Sequence, residues 1–398
     1  MKICGIICEY NPFHNGHAYL IGQAKKLSDC DAVVCIMSGN FTQRGELAFL
    51  DRYTRARHAI LAGADAVIEL PTIFATAPAE IFAKGAVKIL NSIPDFTALA
   101  FGCENADKAA FLKAAQDAAS ESGTFKNVLR QYLKIGSSFT KARAQALAQA
   151  GGPGSLQFIS SPNNILGVEY QKALSAFESR AEILPIERVG ADYADTILYK
   201  NFSSATAIRK AVYEGKIRSV RKNIPEYVLK DLQNTVKPEL YKKIALYSVI
   251  RADESELKNI LDCTEGLENR LKAFAKSTHD YDEFIKKVTT KRYISSRIRR
   301  ILVAAVLSIS EDLVKKGLKN PLYMKILAVN KQHADKILPA LKLSAFPCIT
   351  RRSDLSLLNK TASEILAVDT LAADIFNLAA GRNFTESQMR LIDTSSVL

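Results

Sequence analysis

The sequence predicts an α/β protein with a parallel sheet in its first half, a mostly α-helical second part and a small C-terminal α/β piece. Three observations carry this prediction. In residues 1–203, short apolar runs alternate with amphipathic segments, which is the pattern of βαβ units packed into a sheet covered on both faces. Residues 204–320 have apolar positions at helical spacing throughout. Residues 321–398 return to the alternating pattern.

Five apolar segments of the first part are predicted strands, because each is short and ends at a polar residue, glycine or proline. They are residues 3–8, 31–37, 65–71, 96–101 and 183–186. Helices are predicted between them, over 18–27, 53–62, 79–90, most of 105–150 and 162–177, with a loop at 151–154. Parallel sheets of this kind bind ligands beyond the carboxyl ends of their strands, so a site is expected in the loops that follow the strands.

Beyond residue 204 the pattern predicts helices up to about residue 319. A strand at 323–329, a helix at 333–341, a strand at 346–350 and terminal helices follow. A chain of 398 residues exceeds what one core usually holds. We therefore expect three domains, with limits at 1–203, 204–320 and 321–398.

The composition is that of a globular protein, with 48% hydrophobic and 24% charged residues. No apolar run approaches the roughly 20 residues that span a bilayer, and no basic segment followed by a long apolar stretch opens the chain. A cytoplasmic location without a membrane partner is expected. The seven cysteines are an odd number and form no CxxC pair, so we predict neither a disulfide framework nor a site with metal-ligating side chains.

The net charge of +13 is unevenly distributed. Residues 1–204 contain 20 Lys and Arg against 19 Asp and Glu, whereas residues 205–398 contain 34 against 22. A basic second half beside a nucleotide-binding first half indicates a polyanionic partner, most simply nucleic acid. A basic surface that only aids solubility is the alternative interpretation.

The most informative segment is His14-Asn15-Gly16-His17, which lies between the first predicted strand and an amphipathic helix. A helix N-terminus offers unpaired N–H donors and a partial positive charge to phosphates, and a glycine lets the backbone approach a nucleotide closely. The two imidazoles can donate to phosphate oxygens and stabilise the charge of leaving pyrophosphate. The alternative is a pair of surface or capping histidines. The segment resembles the HxGH signature of the nucleotidylyltransferase superfamily.

A second signature of that superfamily holds the β- and γ-phosphates with hydroxyls, helix N–H groups and a basic side chain. Residues 203–209, Ser-Ser-Ala-Thr-Ala-Ile-Arg, match it through Ser203, Ser204, Thr206 and Arg209. Alone, these residues are ordinary helix N-cap chemistry. Together, the two segments predict two helix N-termini that converge on one triphosphate.

Longer strings are similar to those of the bacterial tRNA(Met) cytidine acetate ligase family. They are residues 9–17, 37–46, 161–170 and Lys291-Arg292-Tyr293. The resemblance implies a Rossmann-like nucleotidylyltransferase domain over 1–203 and a basic tRNA-binding domain over 204–320. It further implies a ligase that converts ATP and acetate into acetyl-adenylate. Such an enzyme passes the acetyl group to N4 of the wobble cytidine of elongator tRNA(Met).

The resemblance also implies roles for individual residues. The family's ATP contacts correspond here to Ile7, Cys8, Glu9, Tyr10, Asn11, Pro12, Phe13, His14, Asn15, Gly16, His17, Ala18, Tyr19, Leu20, Gly102, Asn163 and Arg188. The expected catalytic set is His14, His17, Ser204, Thr206 and Arg209, with Mg²⁺ bridging the phosphates. Acetate is ionised at neutral pH and needs no base. Gln43 and Arg44 are further candidates for substrate contact.

The densest basic segment covers residues 289–302, which we predict to be helical. Its predicted contacts to the tRNA backbone are Lys291, Arg292, Arg297, Arg299 and Arg300. Arg292, Arg299 and Arg300 are expected on an outward face, opposite an apolar stripe. The alternative is a solvated helix face without a partner.

Two other functions remain open on the residues alone. One is an adenylyltransferase that acts on a phosphorylated small metabolite. The other is a non-catalytic RNA-binding protein on a degenerate nucleotide fold. Exchange of pyrophosphate into ATP, measured with and without acetate, separates the three. No protein partner is inferred.

Overall fold

A computed structural model gives the fold and describes residues 1–120, 123–137, 142, 145–146, 149, 161–189, 197–199, 201–383 and 385–386. The predicted loop at 151–154 lies outside the described residues. The strands are β1 (Ile3–Cys8), β2 (Ala32–Ser38), β3 (Ala66–Leu70), β4 (Phe96–Cys103), β5 (Glu182–Glu187), β6 (Met324–Val329) and β7 (Cys348–Ile349).

The α-helices are numbered in chain order within the described residues. They are α1 (Asn15–Ser28), α2 (Arg52–Leu61), α3 (Thr72–Ala75), α4 (Ala79–Leu90), α5 (Lys108–Ser120), α6 (Gly123–Lys134), α7 (Pro162–Ala176), α8 (Ala205–Tyr213), α9 (Glu226–Asp231), α10 (Glu239–Arg251), α11 (Glu254–Lys258), α12 (Leu267–Ala275), α13 (Tyr281–Val288), α14 (Ser295–Leu307), α15 (Glu311–Lys319), α16 (Ala334–Lys342) and α17 (Lys360–Ala379). In that part of the chain, no helix is both long and apolar enough to cross a membrane.

The strands form one sheet in the order β5-β4-β1-β2-β3-β6-β7. The first five run parallel, with Ile6 of β1 opposite Cys35 of β2 and Ala100 of β4. β1, β2 and β3 are almost fully buried because helices cover both faces, as expected for parallel strands. The predicted α/β fold class is confirmed.

The C-terminal strands extend this sheet instead of forming one of their own. β6 pairs antiparallel with β3, where Ile326 lies opposite Ile68, and β7 pairs parallel with β6. Every residue of β6 is buried, and a buried strand needs a partner for its backbone N–H and C=O groups. The free edge of β3 supplies that partner. One sheet therefore contains strands from both sides of the boundary predicted at 320/321. The domain limits themselves stay predictions.

A buried ionic cluster fastens this extension to the parallel strands. Lys325 of β6 lies 3.4 Å from Glu69 of β3 and 3.0 Å from Glu386, and Arg52 of α2 lies 2.7 Å from Glu69 and also contacts Glu386. All four side chains are at most 5% exposed. Because a buried charge is costly without its partner, the cluster fixes how the C-terminal segment docks.

β1 is the strand at which the direction of strand addition reverses, with β2 and β3 on one side and β4 and β5 on the other. Ligands of open parallel sheets bind beyond the carboxyl ends of the strands at such a position. The loop after β1 carries the first histidine of the sequence motif, and β4 ends beside it at Cys103.

Candidate active site

A cleft of about 190 Å³ opens at this end of the sheet. It is bounded by the loop after β1, the first turn of α1, the end of β4, the start of α7, the segment after β5 and the first turn of α8. Thirteen of the predicted ATP-contact residues line it, namely Ile7, Cys8, Glu9, Tyr10, Asn11, His14, Gly16, His17, Tyr19, Leu20, Gly102, Asn163 and Arg188. The other four do not line it: Pro12, Phe13, Asn15 and Ala18.

The histidine pair builds the N-terminus of α1. His14 is the N-cap residue, and its Nδ1 accepts from the Gly16 N–H at 3.1 Å, while Nδ1 of His17 accepts from the His14 N–H at 3.2 Å. This reciprocal arrangement is a capping box made of imidazoles. The two rings stack with centroids 3.6 Å apart. The helix therefore begins at Asn15, three residues before the predicted start, because His14 acts as its N-cap residue.

Both imidazoles are neutral in this environment. Burial, followed by the nearby charges of Arg188 and Arg209, lowers the pKa of His14 to about 3. Burial also lowers the pKa of His17 well below its usual value, with further contributions from His14 and Arg188. Since Nδ1 of each ring accepts a backbone N–H, the neutral ring carries its proton on Nε2. The pair thus offers two uncharged N–H donors, not two cations.

The two sequence motifs meet at Arg209. One of its guanidinium N–H groups donates to the Asn11 carbonyl at 2.6 Å, 198 residues earlier in the chain, and another lies 3.5 Å from Thr206 Oγ1. A second link joins the motifs, because Asn15 Nδ2 donates to the Asn201 carbonyl at 3.0 Å. Residues of both segments, 14–17 and 203–209, therefore line the same cleft, as the sequence predicts.

The first turn of α8 forms a further part of the cleft wall. Ser204 is its N-cap residue, with Oγ accepting from the Ala207 N–H at 3.0 Å. This is the capping role that the sequence left as the alternative, but Ser204, Thr206 and Arg209 also line the cleft. Ser204 thus caps the helix and lies at the cleft at the same time.

Gly102 of β4, Asn163 of α7 and Arg188 after β5 line one part of the cleft. A Cβ at Gly102 would lie 3.4 Å from Cγ of Arg188, so Gly102 and Arg188 are neighbours in the wall of the cleft. The backbone N–H of Arg188 donates to the Cys103 carbonyl at 2.9 Å, and Asn163 Nδ2 donates to Glu104 Oε1 at 2.6 Å. Each residue is held by a neighbouring element, while their contacts to ATP stay predictions.

Sequence reasoning missed the apolar wall of the cleft. It comprises Phe82 of α4, Phe101 of β4, Leu166 and Tyr170 of α7, and Ile186 of β5. These side chains occur at strand or helix spacing and are indistinguishable from core residues in a single sequence. Of the two further candidates, Gln43 lines the cleft and Arg44 does not.

Glu9 is the acidic side chain nearest to the histidine loop in sequence. Its Oε1 accepts from the Gln43 N–H at 2.6 Å. Desolvation raises the pKa of its carboxyl, an effect partly offset by that hydrogen bond and by Arg209. The contact fastens the turn after β2 to the loop after β1.

The basic segment differs from the prediction in two respects. α14 begins at Ser295, so Lys291 and Arg292 precede the helix; both are exposed, and Arg292 pairs with Glu265 at 2.7 Å. Arg297 is only 7% exposed and donates to the Asp262 carbonyl at 2.9 Å.

Arg299 and Arg300 complete the predicted set. Arg299 lies 3.2 Å from Glu46, and Arg300 lies 3.2 Å from Asp262 with its side chain only 11% exposed. The expected outward face is thus wrong for Arg300. The physical reason is that Asp262 draws its guanidinium inward, which a periodicity argument cannot reveal.

Known proteins with the same architecture complete this description. The family model HIGH Nucleotidyl Transferase matches residues 1–390. A relative from Caldanaerobacter subterraneus subsp. tengcongensis, named tRNA(Met) cytidine acetate ligase, is 38% identical over 397 residues and covers 98% of each chain.

Two solved structures have the same fold as this chain. The crystal structure of apo Thermotoga maritima TmcAL matches with a TM-score of 0.90 and 31% identity, over 98% of this chain and 99% of that one. A second crystal structure of Thermotoga maritima TmcAL, bound with alpha-thio ATP, matches with a TM-score of 0.86 and 30% identity, over 95% of each chain. This chain therefore belongs to the HIGH nucleotidyl transferase family and, within it, to the tRNA(Met) cytidine acetate ligases.

Proposed function

We propose that the chain activates acetate with ATP and transfers the acetyl group to N4 of the wobble cytidine of elongator tRNA(Met). The single observation that carries the proposal is the hydrogen bond from Arg209 to the Asn11 carbonyl, which joins two phosphate-binding helix starts in one cleft. The names of the relatives and the alpha-thio ATP bound by a structural neighbour support the substrate assignment. We place the reaction in the cytoplasm.

In the first step an acetate oxygen attacks the α-phosphorus of ATP, and the bond to the β-phosphate oxygen breaks to release pyrophosphate. Such a transfer depends on in-line placement and on stabilising developing negative charge. In this proposal Nε2–H of His14 and His17 donates to phosphate oxygens, and Arg209 supplies a full positive charge. The hydroxyls of Ser204 and Thr206 and the N-terminus of α8 add further donors.

Neutral histidines suit this task because their N–H groups are already fixed and removed from water in the folded protein, before ATP binds. A cation at both positions would place two charges within stacking distance, 3.6 Å between ring centroids. The charge on the phosphates is instead balanced by arginines, with Arg188 and Arg209 close enough to lower the pKa of His14. Donors and cations thus occupy separate positions.

Mg²⁺ is part of the proposal only as an ion carried by the nucleotide. Within the described ranges, no group of three or more His, Cys, Asp and Glu side chains is placed to hold a metal ion. These side chains therefore form no metal site made by the protein alone, and no step here depends on one.

In the second step the cytidine N4 attacks the acetyl carbonyl carbon, the bond to the adenylate oxygen breaks, AMP leaves, and N4 gives up one proton to solvent. In this proposal the tRNA approaches the cleft from the side of the basic segment. We propose that Lys291, Arg292 and Arg299 contact its backbone, while Arg297 and Arg300 hold the 262–265 turn through Asp262. Backbone contacts of this kind position an RNA without reading its sequence.

The proposal is tested in two assays. Exchange of labelled pyrophosphate into ATP should require acetate, and incubation with labelled acetate, ATP and bulk tRNA should give N4-acetylcytidine on nucleoside analysis. Exchange that requires a phosphorylated metabolite instead of acetate would favour the small-metabolite adenylyltransferase. If neither acetate nor a phosphorylated metabolite supports exchange, the result would favour an RNA-binding protein that does not form adenylates.

A further inference from the structure

The turn after β2, residues 42–46, contacts three functional elements at once. It is closed by hydrogen bonds from the Thr42 N–H to the Glu46 carbonyl at 2.9 Å and from the Gly45 N–H to the Thr42 carbonyl at 2.9 Å. Next to it, the fully buried Phe41 packs on Tyr241 of α10 with ring centroids 5.3 Å apart. The turn is therefore held on both sides.

Its first contact is with the nucleotide cleft. Gln43 lines the cleft, donates from its backbone to Glu9 at 2.6 Å and from Nε2 to the Ala77 carbonyl at 3.1 Å. A shift of the turn would therefore move the loop that precedes the histidine pair.

Its second contact is with the backbone of α14. Gly45 has a φ of 73°, and a Cβ there would lie 2.4 Å from the Arg300 nitrogen and 2.5 Å from the Arg299 carbonyl carbon. Only glycine permits both that backbone conformation and that approach. The turn thus packs directly on the helix that carries the basic segment.

The third contact is a shared carboxylate. Oε1 of Glu46 lies 3.2 Å from Arg299 NH1, and its Oε2 lies 3.6 Å from Arg209 NH2. One anion therefore pairs with the arginine of the triphosphate site and with an arginine of the proposed RNA surface. Both arginines have a polyanionic ligand that competes with Glu46 for them.

We propose that Glu46 makes binding of the triphosphate and binding of tRNA mutually antagonistic. This inference rests on the proposed function. When a triphosphate draws Arg209 away, the whole carboxylate becomes available to Arg299 and holds it back from RNA phosphates. When pyrophosphate leaves, Arg209 returns to Glu46 and Arg299 is released. The consequence is an order of events in which acetyl-adenylate forms before tRNA binds tightly.

The antagonism is reciprocal, since any coupling between two binding sites must act equally on both ligands. Glu46 is 34% exposed at its side chain, so solvent screens the interaction and its contribution is at the low end of such couplings. We expect saturation with α,β-methylene ATP to weaken tRNA(Met) binding about fivefold in the wild type. Direct repulsion between the two ligands would persist without the Glu46 charge, so variants at Glu46 separate it from the effect of the ion pair.

The decisive variant is Glu46→Gln, which keeps the shape and the hydrogen-bonding oxygen but removes the charge. We expect the ratio of tRNA affinities with and without the analogue to fall to below about twofold. The matched control is Glu265→Gln, which removes a carboxylate that pairs with Arg292 and Arg297 but not with Arg209. Its tRNA affinity changes while the wild-type ratio persists.

Arg299→Gln tests the same bridge from the other side and should also reduce the ratio, whatever it does to tRNA affinity itself. A purely structural role for Glu46 would alter both affinities and leave the ratio unchanged, and that result would overturn the inference. A wild type that binds tRNA equally well with and without the analogue would also overturn it. Absence of tRNA binding by the wild type would instead overturn the proposed function, and this inference with it.

Discussion

Replacing His17 by alanine removes one of the two neutral donors of the cleft. Nδ1 of His17 accepts from the His14 N–H, so the proton that a substrate would meet is on Nε2. Losing one pre-positioned donor to a developing negative charge costs about 2.7–4 kcal/mol of transition-state stabilisation. We therefore expect acetate-dependent exchange of pyrophosphate into ATP to slow roughly 10²- to 10³-fold in His17→Ala.

The same substitution also has a structural cost that must be kept apart. It removes half of the capping box of α1 and the ring that stacks on His14 at 3.6 Å. Loss of capping costs on the order of 1 kcal/mol of unfolding free energy, far less than would unfold a stable domain. Denaturant unfolding of the variant, measured beside the exchange assay, separates the two effects.

His58→Ala is the matched control, because His58 is a buried histidine of α2 whose partner is Asp231 at 2.7 Å. It should lose stability without a comparable loss of exchange. Exchange at a near-wild-type rate in His17→Ala would remove this imidazole from the mechanism. Equal losses of exchange in both variants would show that the assay reports folding and not catalysis.

Four further predictions concern charge and packing. With its pKa at about 3, His14 should keep the Nε2–H tautomer at pH 5 by ¹⁵N NMR, and a titration midpoint near 6.5 would contradict this. When the pH falls, the imidazole of His14 is protonated in the unfolded state before it is protonated in the folded state. The free energy of unfolding, measured by denaturant titration, should therefore decrease as the pH drops from about 6.5 toward 3. Lys325→Ala should lower the unfolding free energy by about 3–5 kcal/mol, because Glu69 loses a buried partner. Lys331 is exposed, so Lys331→Ala should leave the unfolding free energy nearly unchanged. Gly45→Ala should destabilise by more than Gly136→Ala, since both have positive φ but only Gly45 would clash with α14; equal melting temperatures would contradict that.

Local patterns in the sequence were sufficient for the strands and for the start of α8, but not for the exact start of α1. β1, β2 and β3 are apolar throughout and bounded by polar loops, a pattern that requires no knowledge of partners. Ser204 is a usual N-cap residue, so the start of α8 is predictable. His14 is an unusual one, and for that reason the start of α1 was predicted three residues late.

Pairings between distant residues could not be predicted in this way. The choice of β3 as the partner of β6 joins residues such as Ile68 and Ile326, and nothing in either segment names the other. The same holds for the ion pairs of Arg297, Arg299 and Arg300, because their carboxylate partners come from other parts of the chain. Counting basic residues predicts a charged surface, but only the partners determine which cations are available to RNA.

This distinction changes how the basic half of the chain should be interpreted. Arg297 and Arg300 are held by Asp262, and Arg299 is shared with the nucleotide site through Glu46. Positive charge on the second half is thus partly structural and partly conditional on what the cleft contains. A tRNA that approaches a cleft still occupied by a triphosphate meets an arginine held by a carboxylate, and one that approaches after pyrophosphate release meets a cation freed from it. The ion pair at Glu46 therefore gives a physical reason for the order of the two half-reactions, which neither motif supplies alone.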